Sequence, residues 1–455
     1  MGQFQGKGDN TSRGDQKVLK LTCFSLFCRF QALAKMVQNA YLCRFRLVEA
    51  AGKNYIELLN QVLDGALGEV TDEEVHNAIT RASQYGNAQC VLNLLMYGAP
   101  ADATDWDGDT CLILATCNNH MNVIKVLLEH GCDINETNDY GRNALHYAAW
   151  NGHVHLVQSL MSAHVNTASQ DQYGDTALML AALNGHFDVL KVLIETKCDV
   201  KVKNYDADTA LHYAAKKGFL NCCELLVDAG AEVDTENQWD YTPLILAITE
   251  NREDIVELLL EMGADVNQAC TPKRGRSSLH HAVQRGNLQI VRLLLQYSCD
   301  VDIRDSSGNT PLISAVIQNH VEIVRLLLKA NCDVKVIGRG VIQGQWVTCT
   351  LLDIAFEKGN YVLAQMLFLA GCDKVYLHPT VLDSLQDKVR NPALLKTLIN
   401  RICCPDSLSE QCRYVIRESL GNCANKTAAD LPLPKSVIKY IQLCDVDEIC
   451  AQASS

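Results

Sequence analysis

The sequence has no apolar run near the roughly 18 residues that a membrane-spanning helix needs, and its best candidate, Leu21–Phe30, is too short. Positive charge is in deficit, since 40 Lys and Arg oppose 53 Asp and Glu and leave a net charge of −13. This balance argues against a nucleic-acid-binding surface, because neutralising phosphates requires excess cations. Proline is scarce, at 9 of 455 residues, and 48% of the residues are hydrophobic. The composition is therefore that of a globular chain, of about three domains if it is organised in the usual way.

No Cys-x-x-Cys motif occurs, although the chain has 21 cysteines. An odd number of cysteines cannot all pair, and the chain is far too long for a small disulfide-stapled fold. The adjacent pairs Cys222–Cys223 and Cys403–Cys404 have neither zinc-site spacing nor easy disulfide geometry. These features predict a reduced intracellular protein without a metal or other cofactor. We expect it in the cytoplasm, with the nucleus as a second location.

A short motif recurs along the chain and sets its organisation. The first six copies follow one another at steps of 33 residues, and the last three at steps of 35, 33 and 40. The copies are Asn77–Thr80, Thr110–Ile113, Asn143–His146, Thr176–Met179, Thr209–His212, Thr242–Ile245, Ser277–His280, Thr310–Ile313 and Thr350–Asp353. Each motif is predicted to open a short helix, with its Thr or Ser as the N-cap, and an Ile/Val/Leu-rich second helix follows.

This pattern resembles the ankyrin repeat. The resemblance implies an all-α solenoid of about nine to ten repeats, in which neighbouring repeats must stack to bury their apolar faces. Leu47–Ala66 resembles a tenth, degenerate repeat that would cap the array. We therefore expect a basic, partly disordered N-terminal extension over residues 1–46, an ankyrin array over 47–375, a helical connector over 376–404, a further domain over 405–446 and a tail over 447–455.

The repeat register accounts for the cysteines and histidines that would otherwise be candidates for metal binding or nucleophilic catalysis. Five cysteines stand at the turn where Ala231 and Ala264 stand in sister repeats, so they are expected to pack as small apolar residues. They are Cys132, Cys198, Cys299, Cys332 and Cys372. The motif histidines His146, His212 and His280 are expected to bond between repeats, as the resemblance implies. No nucleophile constellation lies outside this register, and we expect no catalytic residue.

Two segments outside the register remain open to more than one interpretation. Residues 1–46 carry eight Lys/Arg and two Asp, which is compatible with a transit peptide or a membrane-surface helix as well as with the extension proposed above. Gly338, Gly340 and Gly344 could suggest a phosphate-binding loop, but no strand-loop-helix context supports it. We predict a flexible loop between repeats there.

Beyond Asp373 the period stops, and a different pattern begins. Leu408, Cys412, Ile416 and Leu420 are spaced by four and form one apolar stripe on a predicted helix. Ser407 and Glu410 have the spacing of a capping box at the start of that helix. Downstream, the two prolines of Leu431-Pro432-Leu433-Pro434 require an extended or turned backbone.

This tail resembles a SOCS box, and the whole chain resembles the ankyrin-repeat and SOCS-box proteins. The resemblance implies that Leu408, Cys412, Ile416 and Leu420 bind Elongin C, and that Leu431, Pro432, Leu433 and Pro434 dock to cullin five. It implies a substrate-recognition adaptor of an Elongin B/C–cullin five–RING ubiquitin ligase, not itself an enzyme, which directs a target to ubiquitination and degradation. The alternative is a non-catalytic ankyrin scaffold or inhibitor without ligase coupling, whose C-terminal helix merely caps the array.

Ankyrin arrays usually bind partners with their hairpin tips and the exposed face of their first helices. The residues at those positions form the predicted substrate surface: Trp106, Asp107, Asp109, Tyr140, Arg142, Trp150, Tyr173, Tyr205, Trp239 and Tyr241. Exposed Trp and Tyr are enriched at binding hot spots. The neighbouring aspartates predict a basic segment on the partner. The alternative is that some of these rings pack along the hairpins and stabilise the stacking of repeats.

Overall fold

The computed structural model describes residues 47–65, 70–268, 275–342 and 345–372. One helix pair per repeat organises these residues, and nineteen helices and two strands have defined bounds. They are α1 Ile56–Leu63, α2 Asp72–Gln84, α3 Ala88–Tyr97, α4 Cys111–Cys117, α5 Met121–Glu129, α6 Ala144–Trp150, α7 Val154–Ser162, α8 Ala177–Asn184, α9 Phe187–Glu195, α10 Ala210–Lys217, α11 Leu220–Asp228, α12 Pro243–Thr249, α13 Glu253–Glu261, α14 Ser278–Arg285, α15 Leu288–Gln296, α16 Pro311–Ile317, α17 Val321–Lys329, β1 Ile337–Ile342, β2 Gln345–Thr350, α18 Leu351–Glu357 and α19 Tyr361–Leu369. Residues 47–52 are helical and pair with α1. No helix among these residues is long and apolar enough to span a bilayer.

Residue contacts divide the chain into two units, each of which stacks helix pairs. The first unit comprises Met1–Ala181 and Glu195–Cys198, and the second comprises Ala182–Ile194 and Asp199–Ser455. In the first unit α2, α4 and α6 pack in sequence as one layer, and α1, α3 and α5 form the other. In the second unit α10, α12, α14, α16 and α18 form one layer, and α11, α13, α15, α17 and α19 form the other.

The core of each unit comes from the apolar stripes of these short helices. In α5, for example, Val123, Ile124 and Leu127 are completely buried. Burying one such side chain contributes about 1.5–3 kcal/mol by transfer from water. A single pair of helices this short cannot bury both of its faces, so each repeat depends on its neighbours.

The predicted N-caps are present in most repeats. The side chains of Thr110, Thr242 and Thr310 accept a hydrogen bond from the backbone N–H three residues later. The motif at Asn77–Thr80 is the exception, because it lies inside α2 and does not open a helix. The prediction was wrong there because Thr71 begins the helix earlier, in a capping box with Glu74.

Strands β1 (Ile337–Ile342) and β2 (Gln345–Thr350) pair antiparallel where the glycines predicted a flexible loop. Gly344 lies outside the described residues. The strands pair from Ile337 with Thr350 to Ile342 with Gln345. Glycine is required for packing, because a Cβ on Gly338 would lie 2.5 Å from Oδ1 of Asn309. That same oxygen accepts a hydrogen bond from the backbone N–H of Arg339, at 2.8 Å. The glycines therefore let the strand lie against the preceding repeat.

Candidate functional site

Six hairpin tips among the described residues are built by the same local hydrogen bonds. An Asp or Asn stands five residues before the motif, and its side-chain Oδ1 accepts hydrogen bonds from the backbone N–H groups two and four residues later, at 2.8–3.1 Å. The residues are Asp105, Asn138, Asp171, Asn204, Asn237 and Asp305. Such Asx turns fix the backbone conformation of the tip and therefore the direction of its side chains. This role was not predicted from the sequence, although these residues recur at the repeat spacing of 33 residues from Asp105 to Asn237.

Neighbouring tips are joined by backbone hydrogen bonds. In the first unit the N–H of Gln172 donates to the carbonyl of Tyr140 at 2.9 Å. In the second unit the N–H of Gln238 donates to the carbonyl of Asp206 at 2.8 Å. Successive tips are thus held in register within each unit, which is the preorganisation that a binding surface needs.

In the first unit, four of the predicted aromatic residues are exposed. Trp106 is 93% exposed, and Tyr140, Tyr173 and Trp150 are exposed to a smaller degree. Asp107 is also exposed and is next to Trp106 in the tip. The structure therefore brings this part of the predicted surface into solvent, as an interacting face requires.

In the second unit the predicted aromatic residues separate into two kinds. Tyr205 and Trp239 lie exposed at the tips. Tyr241 is only half-buried, but its ring packs edge-on against His281, with centroids 5.6 Å apart and planes at 86°. Its carbonyl also accepts a hydrogen bond from Nε2 of His212 at 3.1 Å. Tyr241 therefore contributes to the contact between repeats.

Arg142 and Trp150 also make contacts within the array. The Nε atom of Arg142 donates to Oδ2 of Asp171 at 2.9 Å, and that carboxylate is buried. The guanidinium lies over the ring of Trp150, 5.3 Å from its centroid. A buried carboxylate needs such a partner. Arg142 therefore stabilises the packing between repeats, and its guanidinium also contacts the ring of Trp150.

The aspartates of the predicted surface differ in accessibility. Asp109 is half-buried and accepts a hydrogen bond from Nδ2 of Asn138 at 2.6 Å. Burial raises the pKa of Asp109, and the neighbouring carboxylates add to that rise. Asp208 accepts in the same way from Asn237 at 2.8 Å, and burial raises its pKa as well.

The described residues hold no group of three or more His, Cys, Asp or Glu side chains arranged to bind a metal ion. Cys299, Cys332 and Cys372 are buried at the turn position that alanine occupies in sister repeats, while Cys132 and Cys198 are partly exposed there. Burial raises the pKa of the Cys299 thiol to about 12. Such thiols are protonated and poorly nucleophilic at neutral pH.

Both predicted binding segments of the C-terminal region lie outside the described residues. They are the predicted Elongin C-binding residues Leu408, Cys412, Ile416 and Leu420, and the predicted cullin-binding residues Leu431, Pro432, Leu433 and Pro434.

Comparison with known proteins identifies the two parts of the chain. The family model for ankyrin repeats in three copies matches residues 47–138, 132–204, 197–270 and 268–337. The SOCS box model matches residues 404–442. The chain belongs to the ankyrin-repeat and SOCS-box protein family, as its sequence pattern indicated. The domain organisation is that of substrate adaptors of SOCS-box ubiquitin ligases, and both kinds of domain are typically non-catalytic.

Among solved structures, the crystal structure of the human ASB11 ankyrin repeat domain is similar to part of this chain. It is 27% identical, with a TM-score of 0.41, over 44% of this chain and 89% of that chain. The comparison with curated proteins gave no match.

Proposed function

We propose that the chain is the substrate-recognition adaptor of an Elongin B/C–cullin five–RING ubiquitin ligase. The observation that carries the proposal is the presence of an ankyrin array and a SOCS box in one chain. The array holds a target protein, and the SOCS box holds the ligase. The chain contributes proximity, because it raises the effective concentration of substrate lysines near the ubiquitin-loaded enzyme. The ligase then marks the target for proteasomal degradation, in the cytoplasm and also in the nucleus.

The Elongin C contact rests on the apolar stripe of the SOCS box. Burying Leu408, Cys412 and Ile416 in a partner groove would supply roughly 4–8 kcal/mol by apolar transfer. Association costs of similar size must be subtracted. Further contacts are therefore needed, and Leu420 continues the same stripe.

One experiment tests the coupling to the ligase. The full chain is co-purified with Elongin B/C, and wild type is compared with a Leu408→Pro, Cys412→Phe double variant. We expect wild type to retain Elongin B/C and the variant to lose it. Equal retention by the two proteins would leave only an ankyrin scaffold without ligase coupling.

The substrate surface is tested separately, with variants chosen by whether the side chain is exposed or packed. Substituting the exposed Trp106, Tyr140 and Trp239 with alanine should abolish substrate capture while Elongin B/C is retained. Tyr241→Ala serves as the contrasting variant, since its ring packs against the array and its loss should lower stability. Loss of both substrate and Elongin B/C from the triple variant would indicate unfolding instead.

A further inference from the structure

The first unit contains a groove of about 900 Å³ that no sequence motif indicated. Its buried floor includes Thr80 and Leu114. Its lining comes mainly from helical residues 47–52, helix α2 and the hairpin that carries Trp106. The volume is in the range of sites that enclose a small ligand or a short stretch of peptide.

Positive charge in this groove comes from α2. Lys53 lines the groove too, but its Nζ is 2.6 Å from Oε1 of Glu49, so the two charges compensate each other. Arg81 has its guanidinium over the ring of Tyr85, 5.3 Å from the centroid, and donates to the amide oxygen of Gln84 at 3.3 Å. Within the described part of the chain it forms no ion pair. Its charge is therefore available to a ligand.

Negative charge and an exposed aromatic face come from the hairpin. Trp106 lines the groove, and 93% of the residue is exposed. Asp105 lines the groove with it, and Asp107 follows in the tip. The N–H of Asp139 donates to the carbonyl of Asp107 at 3.4 Å, so the next tip brings another exposed carboxylate to the same place. An indole beside several carboxylates suits the side chain of Lys or Arg.

We propose that this groove binds an extended segment of the substrate that carries both a basic and an acidic side chain. The basic side chain lies across Trp106 beside the tip carboxylates, and the acidic one pairs with Arg81. The assignment rests on the proposed function, because it names the segment by which the adaptor recognises its target. A general attraction of basic partners would need positive charge alone. The proposed segment needs a positive charge at Trp106 and a negative charge at Arg81.

The full chain can be tested with labelled peptides by fluorescence anisotropy. The probe is a Gly/Ser-rich dodecapeptide with two Arg near one end and two Asp near the other, made in both orders. Two matched peptides replace Arg with Gln, or Asp with Asn. We expect the doubly charged peptide, in one of its orders, to bind at least ten-fold more tightly than either matched peptide.

The variants assign each charge to its place. Trp106→Ala should remove the advantage of Arg over Gln, and Arg81→Gln should remove the advantage of Asp over Asn. Tyr297→Ala, which removes an exposed aromatic side chain of the second unit that is not part of the predicted substrate surface, should leave all affinities unchanged. Circular dichroism checks that each variant remains folded, as expected for such exposed side chains.

Three results would overturn the proposal. They are equal binding of the doubly charged and the matched peptides, an equal loss in Trp106→Ala and Tyr297→Ala, or a preference for Asp that survives Arg81→Gln. Retention of Elongin B/C is measured on the same preparations. If peptide discrimination fails while Elongin B/C is retained, only the groove assignment falls; if wild type retains no Elongin B/C, the ligase proposal falls separately.

Discussion

Acidification is expected to weaken the second unit at His212, which lies at the contact between two repeats. The imidazole is fully buried. Its Nε2 is 3.1 Å from the carbonyl of Tyr241, and its Nδ1 is 3.1 Å from the backbone nitrogen of Thr209. The neutral tautomer protonated on Nε2 satisfies both contacts, because Nδ1 then accepts from the Thr209 N–H. A second proton on Nδ1 would oppose that N–H and break the contact.

Burial lowers the pKa of His212 from 6.5 to about 4. The unfolded chain therefore takes up a proton before the folded chain does, and this happens as the pH falls below 6.5. The contribution of the neutral imidazole to stability is complete above pH 6.5 and is lost progressively down to pH 4. The loss amounts to about 2 kcal/mol at pH 5 and about 3 kcal/mol near pH 4, at about 1.4 kcal/mol per pKa unit.

Hydrogen exchange read by mass spectrometry measures this effect locally, because long repeat arrays need not unfold in one step. The opening free energy of α10 is compared at pH 7.5 and 5, after correction for the intrinsic pH dependence of exchange. Wild type should lose about 2 kcal/mol, whereas His212→Gln should be less stable at pH 7.5 and lose much less on acidification. His155→Gln, at an exposed position, is the control. If His212→Gln keeps the full pH dependence of wild type, the reasoning is refuted.

Three further predictions concern packing. Gly185→Ala should lower stability by more than about 1 kcal/mol, because its Cβ would lie 2.5 Å from an aromatic ring of the next repeat. Gly230→Ala, with the same sign of φ but open space around it, should cost only the backbone strain; equal losses of melting temperature would contradict this explanation. Cys223→Ser should cost about 1–3 kcal/mol in urea unfolding, since it buries a hydroxyl where the thiol is completely buried; an unchanged midpoint would show that the hydroxyl finds a partner. Arg142→Gln should destabilise the first unit by about 1–3 kcal/mol, because it leaves the carboxylate of Asp171 buried without its cation; loss of substrate capture at unchanged stability would instead make Arg142 a binding residue.

Much of the fold could be predicted because residues that cap helices and form hydrogen bonds between repeats recur at a fixed spacing. Thr242 and Thr310 cap helices as expected, since an N-cap depends only on residues within one turn. His146 reaches the carbonyl of Asp175 in the next repeat at 3.2 Å, as the resemblance implied. The family of the chain, including its SOCS box, was likewise visible in its motifs.

Other features depend on contacts that a spacing pattern does not determine. Arg142 was predicted to face a partner, because its position in the repeat is a usual binding position. Its cation is instead directed to Asp171 by the docking of one hairpin on the next. The pairing of β1 with β2 was not predicted for a similar reason, since Gly338 resembles a loop glycine until its contact with Asn309 is known.

The Asx turn separates the tip positions of these hairpins into two classes. The aromatic residue at the first or second position after the turn-forming Asp or Asn is exposed to solvent, as Trp106 and Trp239 are. The fourth residue is drawn back against the array, as Asp109, Arg142 and Tyr241 are. Substitutions at the first class can change the partner at little cost in stability, whereas those at the second class alter the contact between repeats. Specificity in this array can therefore vary at the tips while the stacking that presents them is preserved.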